Sequence, residues 1–387
     1  MRISVIGQGY VGYGLAIAAT KAGHNVIGFD TKANVISAIK ENNQLINYWP
    51  TSDEAEIRNQ DVYIIAVPTP LDQNNLPDLS FLREASILIA RSASSGALII
   101  NESTSYPGTL REVVIFEIQS RNKSHFLYAA APERIDPANT QWSIKNTPRV
   151  IAGVDEESTK SAIVFYKSIC DDVVVVRSPE VAESAKLFEN TFRQVNIALV
   201  NELAQISEKL GISANEVIQA ASSKPFGFMK FSPGLGVGGH CIPIDPIYLA
   251  DKAESLGASA RFIREANSIN HQMPAYILER IKVFLGGSLI DKKVCIVGLS
   301  YKANVPDLRE SPSLMLWEGL VKSGAKVFFH DEIVKNYNGL DSTSLAPNSF
   351  DLVLVAVLHD NLNIEQLKKS AAIIFDCTGN ISGAHHL

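Results

Sequence analysis

The sequence is poor in cysteine, with only Cys170, Cys241, Cys295 and Cys377 among 387 residues. No two of them form a Cys-x-x-Cys metal knuckle, and they are too few and too far apart for the disulfide framework of a small secreted domain. We therefore predict no metal site and a reducing compartment, the cytoplasm.

The sequence also lacks long apolar runs and an excess of basic charge. No stretch approaches the ~20 apolar residues that cross a bilayer. Four glycines, at 7, 9, 12 and 14, interrupt the apolar stretch near the start of the sequence, which argues against a signal peptide. The formal net charge of -6 argues against a protein that binds nucleic acid or an anionic membrane surface. We predict a globular protein with neither of these partners.

Short runs rich in valine and isoleucine alternate with helical patterns over the first 177 residues. The predicted strands are 2–6, 25–29, 61–67, 97–101, 126–130, 149–152 and 173–177. The segments 11–22, 80–94, 108–121 and 156–169 have helical spacing. This alternation predicts one α/β domain, 1–177, with a parallel sheet covered on both faces.

The pattern changes at Ser178, where a long helical run begins that Gly211 closes. Further helices are predicted at 213–222, 246–256 and 259–285. Residues 178–290 therefore form a predicted helical middle domain. The alternation of strands and helices resumes at Asp291 and predicts a smaller α/β domain, 291–387.

A glycine motif follows the first predicted strand and opens the first helix. Gly7 suits a tight turn, Gly9 lets the backbone approach a pyrophosphate, and Gly12 lets helix and strand pack closely. Asp30 ends the next strand, where its carboxylate can bind ribose hydroxyls and repel a 2′-phosphate, although the nearby Lys32 weakens that repulsion. The motif predicts binding of NAD rather than NADP by a Rossmann-like, doubly wound domain.

The carboxyl ends of three predicted strands carry polar or turn-forming segments, 67–70, 102–104 and 132–134. Ligands of an open parallel sheet bind beyond these ends. Each segment taken alone is also compatible with an ordinary turn. Their common position at the carboxyl ends of the strands is what favours a ligand-binding site.

The long helix carries polar residues, Glu183, Lys186, Asn190 and Arg193, at steps of three and four. Such a stripe is typical of a solvated face, but the helix is apolar nearly all round over 195–204. A helix of that kind is buried in the molecule or in a dimer, and its polar stripe then needs a cleft. From this helix alone, the solvated face is the preferred interpretation.

The loop 236–246 contains the cysteine with the most reactive setting. Cys241 follows two glycines and His240 and stands just before a helix expected to start near Pro246, whose dipole favours a thiolate. A metal held by the adjacent His240 and Cys241 is not expected, because neighbouring residues rarely point at one ion.

In the second α/β domain, Gly298 follows the first strand without a full glycine motif. Tyr301, Lys302 and Arg309 lie in the next turn, where basic and aromatic residues suit a nucleotide with phosphates. The alternative is a solvated basic loop.

The chain resembles the nucleotide-sugar 6-dehydrogenases, a family that includes UDP-glucose and UDP-N-acetylhexosamine dehydrogenases. The resemblance runs through GQGYVG, VPTP, ESTSYPGT, APERIDP, AKLFENTFRQVNIALVNELA, GVGGHCIPIDP and GLSYKANVPDLRES. It implies an N-terminal NAD domain and a C-terminal UDP-sugar domain, both Rossmann-like and doubly wound. A long central helix and a helical middle domain join these two domains. The resemblance also implies a homodimer formed through the central helix. The loops GGHCIPIDP and APERIDP are more similar to the N-acetylhexosamine branch.

The resemblance also implies the site residues. It makes Cys241 the catalytic nucleophile, with Lys186, Asn190, Asp245, Glu133 and Thr104 around the reaction. Together with the glycine motif, it places the NAD contacts at Gly7, Gly9, Tyr10, Val11, Gly12, Asp30, Lys32, Thr69, Thr104, Glu133 and Arg309. It places the substrate contacts at Glu133, Arg134, Ile135, Lys186, Asn190, Arg193, Gly238, His240, Tyr301 and Lys302. Some relatives also use an arginine from the neighbouring subunit near the loop before the cysteine, and the candidates for that substrate contact here are Lys224, Lys230 and Arg261.

The implied reaction is the four-electron oxidation of a sugar CH2OH to a carboxylate, with GlcNAc or ManNAc as the expected type of UDP-linked sugar. UDP-glucose is the alternative substrate. A two-electron β-hydroxyacid-type dehydrogenase has a similar NAD domain and helical middle but needs neither thiol nor second nucleotide domain. A non-catalytic binding protein would have no need of Cys241, Lys186 and Asp245.

Overall fold

The computed structural model describes residues 1–135 and 139–387, and the chain divides into two compact units. The first unit comprises Met1–Glu189 and Ile247–Ala258, and the second comprises Asn190–Pro246 and Ser259–Leu387. Within the described residues no helix is both long and apolar enough to cross a membrane.

The first unit is built on an eight-stranded sheet. Its strands are β1 (Arg2–Ile6), β2 (Asn25–Phe29), β3 (Tyr48–Thr51), β4 (Val62–Ile65), β5 (Leu98–Asn101), β6 (Leu127–Ala130), β7 (Arg149–Gly153) and β8 (Val173–Val175). The helices between them are α1 (Tyr10–Lys21), α2 (Ala33–Asn42), α3 (Ser80–Ser92), a π-helical turn (Leu110–Ile115) that continues as α4 (Phe116–Arg121), and α5 (Glu156–Ile169). The strand order is β3-β2-β1-β4-β5-β6-β7-β8, which confirms the predicted doubly wound fold.

Two features of this sheet differ from the sequence-based expectation: the direction of two strands and the presence of an additional one. β7 pairs with β6 in the antiparallel direction, so β7 and β8 run against the other six strands. β3 was not predicted, and it contains Pro50, which lacks the N–H that an interior strand needs. The strand lies at the edge of the sheet, where proline is tolerated.

Four helices lie between the two sheets in sequence: α6 (Pro179–Leu210), α7 (Ala214–Ala221), α8 (Asp245–Ser255) and α9 (Arg261–Phe284). α6 begins at the predicted proline and ends before Gly211, whose positive φ of 68° is the usual conformation after a helix. The sequence thus predicted the bounds of this long helix closely.

The second unit contains a five-stranded sheet, all parallel, in the order β10-β9-β13-β14-β15. Its strands are β9 (Lys293–Val297), β10 (Lys326–His330), β13 (Phe350–Val355), β14 (Ala371–Asp376) and β15 (His385–His386), and β11 (Asn336–Tyr337) with β12 (Leu340–Asp341) forms a small antiparallel hairpin. Helices α10 (Pro312–Lys322) and α11 (Ile364–Ser370) complete it. Two apolar clusters contain alternate residues of its central strands, which is the pattern of a sheet buried on both faces.

Candidate active site

The three motif glycines at the end of β1 each have a distinct steric surrounding. Gly7 has a positive φ of 93°, and a Cβ there would overlap the backbone of Ala66. A Cβ at Gly12 would overlap the carbonyl oxygen of Gly7, so only glycine lets α1 pack this closely. At Gly9 a Cβ would meet nothing within 4 Å. The space beside Gly9 is therefore open, as the approach of a pyrophosphate requires.

Asp30 stands at the end of β2, as predicted, and backbone groups fix its carboxylate. Gln8 N–H donates to one carboxylate oxygen (2.8 Å) and Lys32 N–H donates to the other (2.9 Å). The Lys32 side chain is exposed at the start of α2, and Tyr10 and Val11 form the first turn of α1. A fixed acidic group, an open glycine and the N-terminus of a twelve-residue helix fit an adenine dinucleotide.

The structure brings the predicted strand-end residues of the first unit together. The Thr69 hydroxyl, after β4, donates to the Thr104 carbonyl oxygen after β5 (2.6 Å). Glu133 follows β6, and its N–H donates to the Glu102 carbonyl oxygen (3.2 Å). The ends of three neighbouring strands are thus tied into one rim, and the Glu133 side chain is buried in it.

A buried ionic cluster beneath this rim was missed by the sequence reasoning. Glu102, buried after β5, accepts a hydrogen bond from the Tyr166 hydroxyl and pairs with Arg149 of β7 (3.3 Å). Arg149 also donates to the Pro132 carbonyl oxygen (3.4 Å). Burial raises the pKa of Glu102, and the carboxylate raises the pKa of Arg149. The arginine at the start of an otherwise apolar strand was the available signal.

Glu183, which the sequence placed on the polar stripe of α6, binds backbone instead of facing solvent. Its carboxylate accepts N–H groups from Gly108 (2.7 Å) and Leu110 (2.9 Å), at the start of the π-helical turn. Burial raises the pKa of Glu183 to about 7. The carboxylate therefore anchors the segment that follows Thr104 onto the helix that carries Lys186.

Other members of the stripe have different surroundings. Lys186 and Asn190 are buried, whereas Arg193 is exposed. The Asn190 side-chain amide donates to the Asp245 carboxylate (2.5 Å), as expected if the two side chains share one site.

Arg134 and Ile135, both partly buried, follow Glu133 in the chain. The Arg134 guanidinium pairs with Glu189 (2.8 Å) and donates to the Pro148 carbonyl oxygen (2.9 Å). The structure therefore shows this arginine engaged by a carboxylate of α6.

Cys241 is partly exposed, in contrast to the other three cysteines, which are buried. Its carbonyl oxygen accepts the N–H of Asp245, the first residue of α8, at 2.8 Å. This confirms that the cysteine immediately precedes a helix N-terminus.

The glycines before Cys241 have a role that the sequence did not reveal. A Cβ at Gly238 would lie 2.7 Å from the Glu310 carbonyl oxygen, and one at Gly239 would lie 2.8 Å from the Tyr301 ring. The Gly239 N–H donates to the Arg309 carbonyl oxygen (3.0 Å). The glycines thus allow the loop to pack against the 301–310 segment, rather than only leaving its backbone approachable.

Arg309 was expected among the NAD contacts, and in this unit it also lies beside the cysteine. Its guanidinium pairs with both carboxylate oxygens of Asp307, the shortest distance being 2.6 Å. Asp307, and to a lesser extent Cys241, raises the pKa of Arg309. Burial, with Arg309 nearby, lowers the pKa of His240, so this imidazole is neutral near pH 7.

A cavity of about 220 Å³ opens at the carboxyl ends of β9, β13 and β14, the position expected for a ligand of an open α/β sheet. Its lining residues are Ser232, Pro233, Gly234, Leu235, Gly236, Ser300, Tyr301, Pro312, Ser313, Ala356, Val357, Cys377 and Thr378. Lys302 follows the lining residue Tyr301 in the chain. Arg261 is exposed at the start of α9.

In the described part of the chain no group of three or more His, Cys, Asp or Glu side chains is arranged to hold a metal ion.

Comparison with protein families matches three consecutive parts of the chain to one family. Residues 1–170 match the NAD binding domain, 180–272 the central domain and 295–382 the UDP binding domain of the UDP-glucose/GDP-mannose dehydrogenase family. These matches confirm the predicted NAD cofactor.

Individual relatives resemble the chain over nearly its whole length. The chain is 35% identical to the UDP-N-acetyl-D-mannosamine dehydrogenase of Methanocaldococcus jannaschii, covering 96% of this chain and 89% of that protein. It is 33% identical to the UDP-N-acetyl-D-glucosamine 6-dehydrogenase of Pseudomonas aeruginosa, covering 97% and 96%. The solved UDP-D-ManNAc dehydrogenase of Pyrococcus horikoshii superposes with a TM-score of 0.89 at 32% identity, covering 100% of this chain and 98% of that one. The chain therefore belongs to the UDP-glucose/GDP-mannose dehydrogenase family and is an NAD-dependent nucleotide-sugar dehydrogenase.

Proposed function

We propose that the protein oxidises the 6-hydroxymethyl group of a UDP-N-acetylhexosamine to the carboxylate in two steps, with Cys241 as the nucleophile. The observation that carries this proposal is the setting of Cys241, the one partly exposed cysteine of four, which stands directly before α8 and beside the buried pair of Asn190 and Asp245. A helix N-terminus favours the thiolate, which is the reactive form.

A thiol answers the main chemical difficulty of a four-electron oxidation, because the aldehyde must be held between the two steps. The Cys241 thiolate adds to the aldehyde carbon and gives a thiohemiacetal, whose oxidation leaves a thioester. Water then attacks the thioester, releasing the acid and restoring the thiolate. When bound, NAD⁺ supplies the hydride acceptor for each oxidation.

The other predicted residues have roles that match their chemistry. Lys186 and Asn190 are hydrogen-bond donors one helical turn apart, suited to stabilising the oxyanion of the thiohemiacetal, and Lys186 with a water can take the alcohol proton. Asp245 orients Asn190 through their hydrogen bond. Glu133 and Thr104, on the strand-end rim, are proposed to order the hydrolytic water.

We propose an N-acetylated sugar because the two relatives named above carry ManNAc and GlcNAc dehydrogenase names and align over almost the whole chain. The pairing of Arg134 with Glu189 disfavours a direct contact of Arg134 with the acetamide. Arg193, which is exposed, is the better candidate donor to the acetamide carbonyl.

The substrate is tested by side-by-side kinetics with UDP-GlcNAc, UDP-ManNAc, UDP-GalNAc and UDP-glucose. A site with donors aimed at the acetamide leaves them unpaired with the 2-hydroxyl, which costs about 1–3 kcal/mol, or one to two powers of ten in kcat/KM. UDP-glucose as the best of the four substrates would overturn the N-acetyl assignment and leave the dehydrogenase class intact.

We also propose a homodimer formed through α6. One face of this helix carries apolar side chains at a spacing of about 3.5 residues, and all of them are exposed: Val181, Phe188, Phe192, Leu199, Ile206 and Leu210. Such a stripe is the seam of a helix pair. Sedimentation equilibrium of the wild type and of Leu199→Glu tests this, because the charged variant should be monomeric at concentrations where the wild type is dimeric.

Three further expectations remain proposals. The division into domains 1–177, 178–290 and 291–387 can be tested by limited proteolysis. The contribution of a cation to the substrate site by the partner subunit, from Lys224, Lys230 or Arg261, can be tested with variants that remove the charge. A reducing compartment, the cytoplasm, is supported by the four free thiols of the chain.

A further inference from the structure

Two buried amide side chains, Asn201 and Asn270, connect α6 and α9 with the loop that precedes Cys241. Asn201 of α6 donates from Nδ2 to Oδ1 of Asn270 in α9 (2.9 Å), and Asn270 donates from Nδ2 to the carbonyl oxygen of Gln194 (3.0 Å). Asn201 Oδ1 accepts the N–H of Gly234 (2.9 Å). Both asparagine side chains are at most 4% exposed. The loop is thus hydrogen-bonded to a side chain that is itself fixed by a second helix.

The direction of every hydrogen bond in this network follows from its two backbone ends. The Gly234 N–H can only donate, so Asn201 must present its oxygen to it and its NH2 to Asn270. Asn270 must then accept with its oxygen and donate to the Gln194 carbonyl, which can only accept. Because each amide in such a chain polarises the next, the loss of one member weakens the whole series.

One of these helices, α9, also contacts the loop sterically. Gly236 has a positive φ of 123°, and a Cβ there would lie 2.5 Å from the Asn270 carbonyl oxygen. Residues 234–236 are therefore seated directly on the amide network. Gly238 and Gly239 then pack on Tyr301, and Cys241 follows two residues later.

The anchored segment forms a wall of the cavity at the carboxyl ends of the second sheet. Gly234, Leu235 and Gly236 line that cavity opposite residues such as Tyr301 and Thr378. One short loop thus contributes both to the cavity of the UDP binding domain and to the position of the thiol.

We propose that Asn201 and Asn270 are positioning residues that hold the loop 232–241, so that one amide network determines both the affinity for the uridine nucleotide and the reactivity of Cys241. The part concerning the thiol rests on the proposed function, in which Cys241 is the nucleophile. Neither asparagine contacts a reacting atom in this scheme, because each acts through the loop backbone.

The test compares Asn201→Leu with a matched control, Gln205→Met. Gln205 lies one turn further along α6 and also connects to α9, through a contact of its Nε2 with the Met273 sulfur (3.5 Å), but this contact does not involve the loop. UDP binding is measured by titration calorimetry, and the thiol by the rate of alkylation with iodoacetamide as a function of pH, with Cys241→Ser as the blank.

We expect Asn201→Leu to raise the UDP Kd about five- to tenfold, the effect of one lost buried hydrogen bond, and to change the alkylation rate of Cys241. Gln205→Met should leave both within twofold of the wild type. Asn201→Asp should recover most of the UDP affinity, because burial favours the neutral acid, which can accept the Gly234 N–H with its carbonyl oxygen and donate its O–H to Asn270. This variant also serves if the leucine variant fails to fold.

An Asn201→Leu protein with wild-type UDP affinity and alkylation rate would overturn the proposal, and so would equal effects of Asn201→Leu and Gln205→Met. Both readouts work without turnover. They therefore remain informative if the proposed substrate or the thioester route is wrong, and those failures would appear separately in the kinetics.

Discussion

The motif glycines permit a sharp test, because alanine should lower the stability of the fold at Gly12 but the affinity for the cofactor at Gly9. Gly12→Ala places a methyl group in the carbonyl oxygen of Gly7. The helix propensity of alanine contributes about 1 kcal/mol, but forcing apart β1 and α1 costs about 1–3 kcal/mol or more, so we expect a net loss of stability.

Gly9→Ala should behave differently. Its φ of −70° is open to any residue, and a Cβ there meets nothing within 4 Å, so the stability should change by about 0.5 kcal/mol at most. The methyl group nevertheless occupies the space that a pyrophosphate needs beside the N-terminus of α1. We expect the affinity for NAD⁺ to fall at least about tenfold, or 1.4 kcal/mol.

Calorimetric titration with NAD⁺ and thermal unfolding of both variants measure these effects together. Gly9→Ala should lower the affinity for NAD⁺ while the thermal stability stays nearly unchanged. Gly12→Ala should lower the thermal stability itself. A Gly9→Ala protein that binds NAD⁺ as the wild type does would refute the placement of the pyrophosphate. A Gly12→Ala protein of unchanged stability would refute the close packing of β1 and α1.

Three other predictions address the catalytic thiol, the cofactor and a buried carboxyl. Cys241→Ser should still bind NAD⁺ and UDP but lose the net four-electron reaction, because the serine hydroxyl is not ionised near neutral pH and an alkoxide is a poorer leaving group than a thiolate; wild-type turnover would remove Cys241 from the mechanism. The kcat/KM for NAD⁺ should exceed that for NADP⁺ at least about tenfold because of the fixed Asp30 carboxylate, and equal values would show that Lys32 neutralises it. Folding favours the protonated form of Glu183, because the pKa of this carboxyl is about 7 in the folded protein. Its contribution to the free energy of unfolding is therefore complete below pH ~4.5 and is lost as the pH rises through 7. Relative to Glu183→Gln, which does not titrate, the wild type should thus lose up to about 3 kcal/mol of unfolding free energy between pH 4.5 and 8, and parallel pH curves for the two proteins would contradict this.

Local patterns were sufficient to predict the glycine turn, the acidic residue after β2 and the strand-end segments. These features depend on residues close in sequence, and the parallel sheet itself brings the strand ends together. The preference of a helix for proline at its start and glycine after its end likewise predicted α6.

The missed features depend on partners distant in sequence. Glu183 binds N–H groups 73 and 75 residues away, and a backbone partner leaves no trace in residue type. Arg149 and Glu102 lie 47 residues apart, and only the fold shows that both are buried. The reversal of β7 has the same origin, because the direction of a strand depends on the connection and not on its own residues.

The central claim is a four-electron oxidation that proceeds through Cys241, and the most direct measurement is the amount of NADH formed per molecule of UDP-N-acetylhexosamine consumed. The account predicts two NADH for each sugar and a uronic acid as the only released product, since the thiohemiacetal retains the aldehyde between the two oxidations. One NADH for each sugar, with the aldehyde released, would contradict it and would favour a two-electron dehydrogenase.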